Sequence, residues 1–180
     1  MADFEIINEG KLSSAASEIN ITSIPATYTH LECVFALRAD AGFASSNAYM
    51  QLNGDTGANY GQFGGYVSGN GWSSVTSAAF ASRTASVTYF QSACTAAYGS
   101  GSPSGIFYVN HIMIPLYSST TTSTKTIMST STIGWNNNNN TTEYSAGFYN
   151  TTSAINAIKI VPLGGVNLDT NSSWWIGGYA

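Results

Sequence analysis

From Tyr28 to Arg38 the chain alternates as only a half-buried strand does: Leu31, Cys33, Phe35 and Leu37 point one way, and His30, Glu32, Val34 and Ala36 the other. Similar apolar stretches recur at short intervals, at residues 4–7, 19–24, 48–52, 60–67, 86–92, 105–117, 124–131, 143–148, 155–163 and 173–176. Gly, Ser, Asn and Pro fill the gaps. Helix signals are confined to two weak Ser/Ala-rich stretches, 13–18 and 74–82. About ten short strands without intervening helices predict an all-β chain, an antiparallel β-sandwich of jelly-roll type. Pro115 inside the 105–117 stretch implies an edge position or a bend, and Gly61, Gly64 and Gly65 imply a bulge or a close backbone approach.

With 180 residues and no compositional break, residues 1–180 read as one domain. Charged residues make up only 8%, against the usual quarter, yet 13% of the chain is aromatic, which excludes disorder. The five basic residues, Lys11, Arg38, Arg83, Lys125 and Lys159, are scattered, so there is no stripe to neutralise phosphates and nucleic-acid binding is not expected. A surface this poor in charge is weakly protected against association and suits a chain whose neutral faces are covered in an assembly. Of the two cysteines, Cys33 lies on the apolar face of its strand and reads as a buried thiol. The acidic start Met1-Ala2-Asp3-Phe4-Glu5 is unlike a signal peptide, and no apolar run approaches a membrane span. Synthesis in a cytoplasm without export is expected, which leaves the sequons at Asn20, Asn140, Asn150 and Asn171 as products of an Asn/Thr-rich composition.

Catalytic chemistry finds few footholds. Glycoside hydrolysis needs two carboxylates over one cleft. Nine acids are present, and the two within interior strand stretches, Glu32 and Glu143, lie far apart in sequence. His30 and His111 are lone strand histidines, and no Gly-x-Ser-x-Gly elbow accompanies them. Two histidines and two cysteines without chelating spacing argue against zinc. Asn53, Asp55 and Asn59 offer oxygens for calcium, but one carboxylate is too little charge, and these residues are also turn formers. No enzyme activity, cofactor or metal is expected. Carbohydrate binding is the functional alternative, through exposed aromatics drawn from Trp72, Trp135, Tyr144, Tyr149, Trp174 and Trp175. Trp135 and Asn137, beside the Asn136–Asn140 tract, and the pair Trp174 and Trp175 are the residues singled out as ligand or partner contacts.

Three segments, together covering under a third of the chain, carry a resemblance. Gln51-Leu52-Asn53-Gly54-Asp55-Thr56-Gly57-Ala58-Asn59-Tyr60 joins two strand stretches through residues that tolerate positive φ. Ser153-Ala154-Ile155-Asn156-Ala157-Ile158-Lys159-Ile160-Val161-Pro162 runs through Gly164-Gly165 and the polar patch 170–173 into Trp174-Trp175-Ile176-Gly177-Gly178-Tyr179. Ser23-Ile24-Pro25 leads to Leu31 and a strand ending at Arg38. Taken in chain order, they resemble small bacteriophage virion proteins, although Trp174-Trp175 stands where a Leu-Tyr-Gly ending is usual. The resemblance implies a β-sandwich made in the bacterial cytoplasm and assembled onto the virion. Capsid decoration (cement) against the major capsid protein comes first. A tail or fibre domain that binds host surface glycan is the alternative. By analogy with coat and fibre proteins it also implies a homo-oligomer, a trimer first.

Overall fold

The computed structural model describes residues 3–40, 47–69, 75–95, 104–133 and 140–180. Among them every regular element is a strand: β1 (Phe4–Lys11), β2 (Ile19–Ile21), β3 (His30–Leu37), β4 (Asn47–Leu52), β5 (Tyr60–Gly69), β6 (Val75–Val87), β7 (Phe90–Thr95), β8 (Tyr108–Ile114), β9 (Thr124–Ile133), β10 (Asn140–Asn150), β11 (Ile158–Pro162) and β12 (Ser173–Tyr179). All pairings between them are antiparallel. They form an eight-stranded sheet in the order β1-β12-β3-β8-β9-β10-β5-β6 and a four-stranded sheet in the order β2-β11-β4-β7.

The winding is nested. β3 pairs with β8 and β12, β4 with β7 and β11, and β5 with β6 and β10, while β1 meets β12 and β2 meets β11. Successive strands from β1 to β5 step alternately between the two sheets. Jelly rolls share this nesting, but here the strands divide eight and four rather than evenly. The long β9–β10 hairpin holds its register from Thr124↔Asn150 to Ile133↔Thr141, which keeps both strands in the larger sheet.

The alternation read from the sequence is the alternation of burial. Leu31, Cys33, Phe35 and Leu37 on β3 are all 0% exposed, and Ile112, Ile114, Ile127 and Ile176 face the same side of the large sheet. Met50, Leu52, Ile158 and Ile160 of the small sheet close onto them. Full burial of each such side chain stabilises the fold by about 1.5–3 kcal/mol. The sheets meet closely where Phe90 of β7 lies over Gly147 of β10, and a Cβ at 147 would come within 2.0 Å of the ring.

The two weak helix signals come to nothing, in line with the all-β expectation. Residues 75–82 belong to β6, whose backbone is held by the ladder to β5. Residues 13–18 are non-helical and are tied down by a bridge from Ala16 to Leu168. Pro115 takes the bend rather than the edge: β8 lies between β3 and β9 and stops at Ile114, ahead of the turn. The glycines of β5 serve both expected purposes. Register shifts fall at Tyr60/Gly61 and Gly64/Gly65, and Gly61 lies under the Phe148 ring. The Ser/Thr tract after Tyr117 is more ordered than its composition implies. Lys125 is 1% exposed, and its Nζ donates to the Ser119 carbonyl at 2.6 Å and to Thr122 Oγ1 at 3.1 Å.

The 53–59 turn is built by its own side chains. Asn53 and Gly54 have φ of 56° and 66°. Asp55 accepts from the Gly57 N–H at 2.7 Å and from Asn59 Nδ2 at 2.8 Å. Burial pushes its carboxyl up, but the bonds from Asn59, Gly57 and Tyr149 outweigh this and hold it below the usual range. Below the turn, Tyr60 and Tyr149 stack with centroids 4.7 Å apart. Burial, then the bond to Asp55, pushes the Tyr149 hydroxyl up to about 12, and burial raises Tyr60 as well. The unfolded tyrosines release their protons near pH 10. The folded form holds them longer, so this stability is complete below about pH 10 and is lost as pH rises through the folded values. Urea midpoints are therefore expected to fall steeply between about pH 10 and pH 12, and less steeply in Tyr149→Phe. Parallel slopes for the two proteins would remove Tyr149 from this account.

Candidate functional site

The small sheet and the core cover one face of the large sheet. The opposite face carries the residues that alternate with the core positions. Strand register places Ile6, Glu32, Met113, Met128, Ala146 and Phe63 in one row across it. Glu9, Trp175, Val34, His111, Thr130 and Tyr144 form the next row. Among the described residues seven large apolar side chains are exposed, and six stand on this face: Phe4, Ile6, Phe63, Val109, Met128 and Tyr144. Leu116, the seventh, sits in a turn. Scattered exposed apolar groups are ordinary, whereas a set gathered on one sheet face marks an interaction surface.

Towards β5 this face is indented. A groove of about 410 Å³, open to solvent, is bordered by Phe63 and Tyr144, with Met113, Met128 and His111 across it. The small outward residue Ala146 leaves the space that bulk would fill, and Gly64, of inward parity, lines the groove with its backbone. Phe63 and Tyr144 are each 57% exposed, so two aromatic rings stand proud beside a depression.

The polar centre of the face is Glu32. Tyr179 donates its hydroxyl to Oε2, and His111 Nε2 lies 2.6 Å from Oε1. The bond to Glu32 raises the Tyr179 hydroxyl above its ordinary value. Glu32 is thus engaged through both oxygens, and its side chain is 17% exposed. Glu143 belongs to the opposite face: it shares the parity of Gly147 and Tyr149, both buried, and pairs with buried Ser131. The two interior strand carboxylates therefore do not share a cleft.

The residues singled out from the sequence have separate fates. Trp135 and Asn137 lie outside the described residues, as does Trp72. Trp174 turns inward, packs against the core, covers Gly10 and donates Nε1 to Asn8 Oδ1 at 2.7 Å. Trp175 is on the outer face, edge-on to Phe4 at 5.7 Å. Tyr149 is a core residue, and Tyr144 is the exposed aromatic of the groove. Asn53 and Asn59 spend their side chains on the turn: Asn53 Oδ1 accepts from Asn156 N at 2.8 Å, and its Nδ2 donates to the Ala154 carbonyl at 2.9 Å. Phe63 and Met128 were missed by sequence reasoning. Their signal was available as the outward parity of apolar residues in otherwise polar strands, but it becomes visible only once the sheet order aligns them. No family model, curated protein or solved structure matches this chain.

Proposed function

We propose that this chain is a non-enzymatic structural subunit of a bacteriophage particle, a head decoration protein that works through protein–protein contacts. One observation carries the assembly role: six exposed large apolar side chains gathered on the outer face of the eight-stranded sheet. A face of that kind is stable in water when something covers it. The choice of a virion rests on the resemblance of the 51–60, 153–179 and 23–38 segments to small phage virion proteins. Separation of Glu32 and Glu143 onto opposite faces supports a non-catalytic reading.

The groove favours a second reading, a tail or fibre domain that binds host glycan. Tyr144 and Phe63 offer ring faces, with Thr130 and His111 beside them as hydrogen-bonding groups. Copy number separates the two. Particles purified from the host that carries this gene, quantified by mass spectrometry against the major capsid protein, should hold hundreds of copies. A few dozen or fewer would move the chain to the tail or fibre, and its absence from particles would overturn both readings.

A further inference from the structure

We infer that the outer face of the eight-stranded sheet takes a second copy of this same chain, packed face to face about a two-fold axis. The inference rests on reading that face as an assembly surface and goes on to name what covers it.

Size is the first argument. From β1 to β5 the face crosses seven strands, about 29 Å at the usual strand spacing, and from Thr126 to Thr132 it is about 20 Å tall. That footprint, about 600 Å² before its relief is counted, approaches the roughly 800 Å² per partner of a stable protein–protein interface. It is far larger than a sugar or a short peptide needs.

Charge is the second. A two-fold contact brings each group near its own copies, so an uncompensated charge at the centre would repel itself. Across β12, β3, β8, β9 and β10 the outward positions include one carboxylate, Glu32, and no lysine or arginine, while β1 at the sheet edge adds exposed Glu9 and Lys11, one of each sign. Glu32 is already held by Tyr179 and His111. The centre of the face therefore meets its own image without a charge conflict, and the two charges at the β1 edge are of opposite sign, so the face as a whole has no excess that calls for an oppositely charged partner.

Shape is the third. The projecting rings of Phe63 and Tyr144 stand directly beside the depression at Gly64 and Ala146. Knob and hole lie within one patch, as an isologous contact requires: the rings of each copy enter the groove of its partner. The three-fold ring expected from coat and fibre analogies would instead join two different patches, and the described structure offers one.

Sedimentation equilibrium of the purified chain and of Met128→Glu and Tyr144→Glu provides the test. Both substituted side chains are exposed, so folding should survive, with circular dichroism and melting temperature as the check. The wild type is expected at twice the chain mass at micromolar concentration. Each substitution is expected to weaken association by at least about thirtyfold, the loss typical of a central hot-spot side chain. A wild-type monomer at 100-fold higher concentration, a trimer, or a dimer indifferent to both substitutions would overturn the two-fold pairing. The particle copy number is measured independently: a monomer present in hundreds of copies would overturn this inference and leave the decoration reading standing.

Discussion

Gly147→Val is expected to destabilise the native sandwich severely. A Cβ at 147 would come within 2.0 Å of Phe90 Cε2 and 2.3 Å of the Gly61 carbonyl oxygen. The first obstacle is a ring buried between the sheets, and the second is backbone in the neighbouring strand, so little relaxation is available. Overpacking commonly costs about 1–3 kcal/mol, and a clash with fixed backbone falls at or beyond the upper end. Against a total stability of about 5–15 kcal/mol, valine should lower the melting temperature by about 10 °C or more and unfold the protein outright if its stability lies at the low end, and alanine should lower it by several degrees. Phe90→Ala should itself cost about 3–5 kcal/mol by opening a cavity. In that background Gly147→Ala should cost less than in the wild type, because the ring has gone. Thermal melts of the four proteins give the coupling. A Gly147→Ala protein that melts with the wild type would mean that the sheets are farther apart at this point.

Asn53→Ala is expected to cost about 3 kcal/mol, an unusually large loss for a turn residue. Asn53 holds a left-handed φ of 56°, which alanine adopts at a cost of about 1–2 kcal/mol. Its side chain also reaches across the fold: Oδ1 takes the N–H of Asn156 and of Ala157, and Nδ2 donates to Ala154. Each lost bond adds about 0.5–1.5 kcal/mol. Asn53→Gly separates the two effects, since it restores the backbone freedom and leaves only the lost bonds. Denaturant titration should rank wild type above glycine and glycine above alanine. Equal midpoints for the two variants would show that the left-handed turn contributes nothing.

Legibility in the sequence follows the range of the forces involved. β3 is readable from eight residues because its two faces differ in chemistry at every step, and the 51–60 turn is readable because Asn53-Gly54 encodes a local backbone conformation. β6 gave no strand signal over residues 75–82, since Ser and Ala carry little periodic contrast and the strand is held by bonds to β5. The candidate surface was barely visible. Phe63, Val109, Met128 and Tyr144 come from four strands spread over much of the chain, and only the order β8-β9-β10-β5 makes them neighbours. Trp174 shows the opposite limit: its inward place follows from parity, but its bond to Asn8 depends on a strand more than 160 residues earlier in the chain. The strand periodicity came from side-chain hydrophobicity, whereas the surface came from pairing across long sequence separations.

The nested winding also governs how the chain can fold while it is being made. β12 lies between β1 and β3, and β1, at the sheet edge, has β12 as its neighbour. β2 likewise pairs with β11. β1 and β2 therefore wait for β12 and β11, while β5–β6, β4–β7 and β3–β8 can zip in turn from the middle outward. Such long-range closure belongs to slow folders, on the millisecond-to-second scale. Until residues 173–179 are synthesised, Phe4 and Ile6 have no ladder to join, so the nascent chain carries β1 unpaired while the ten strands between are made.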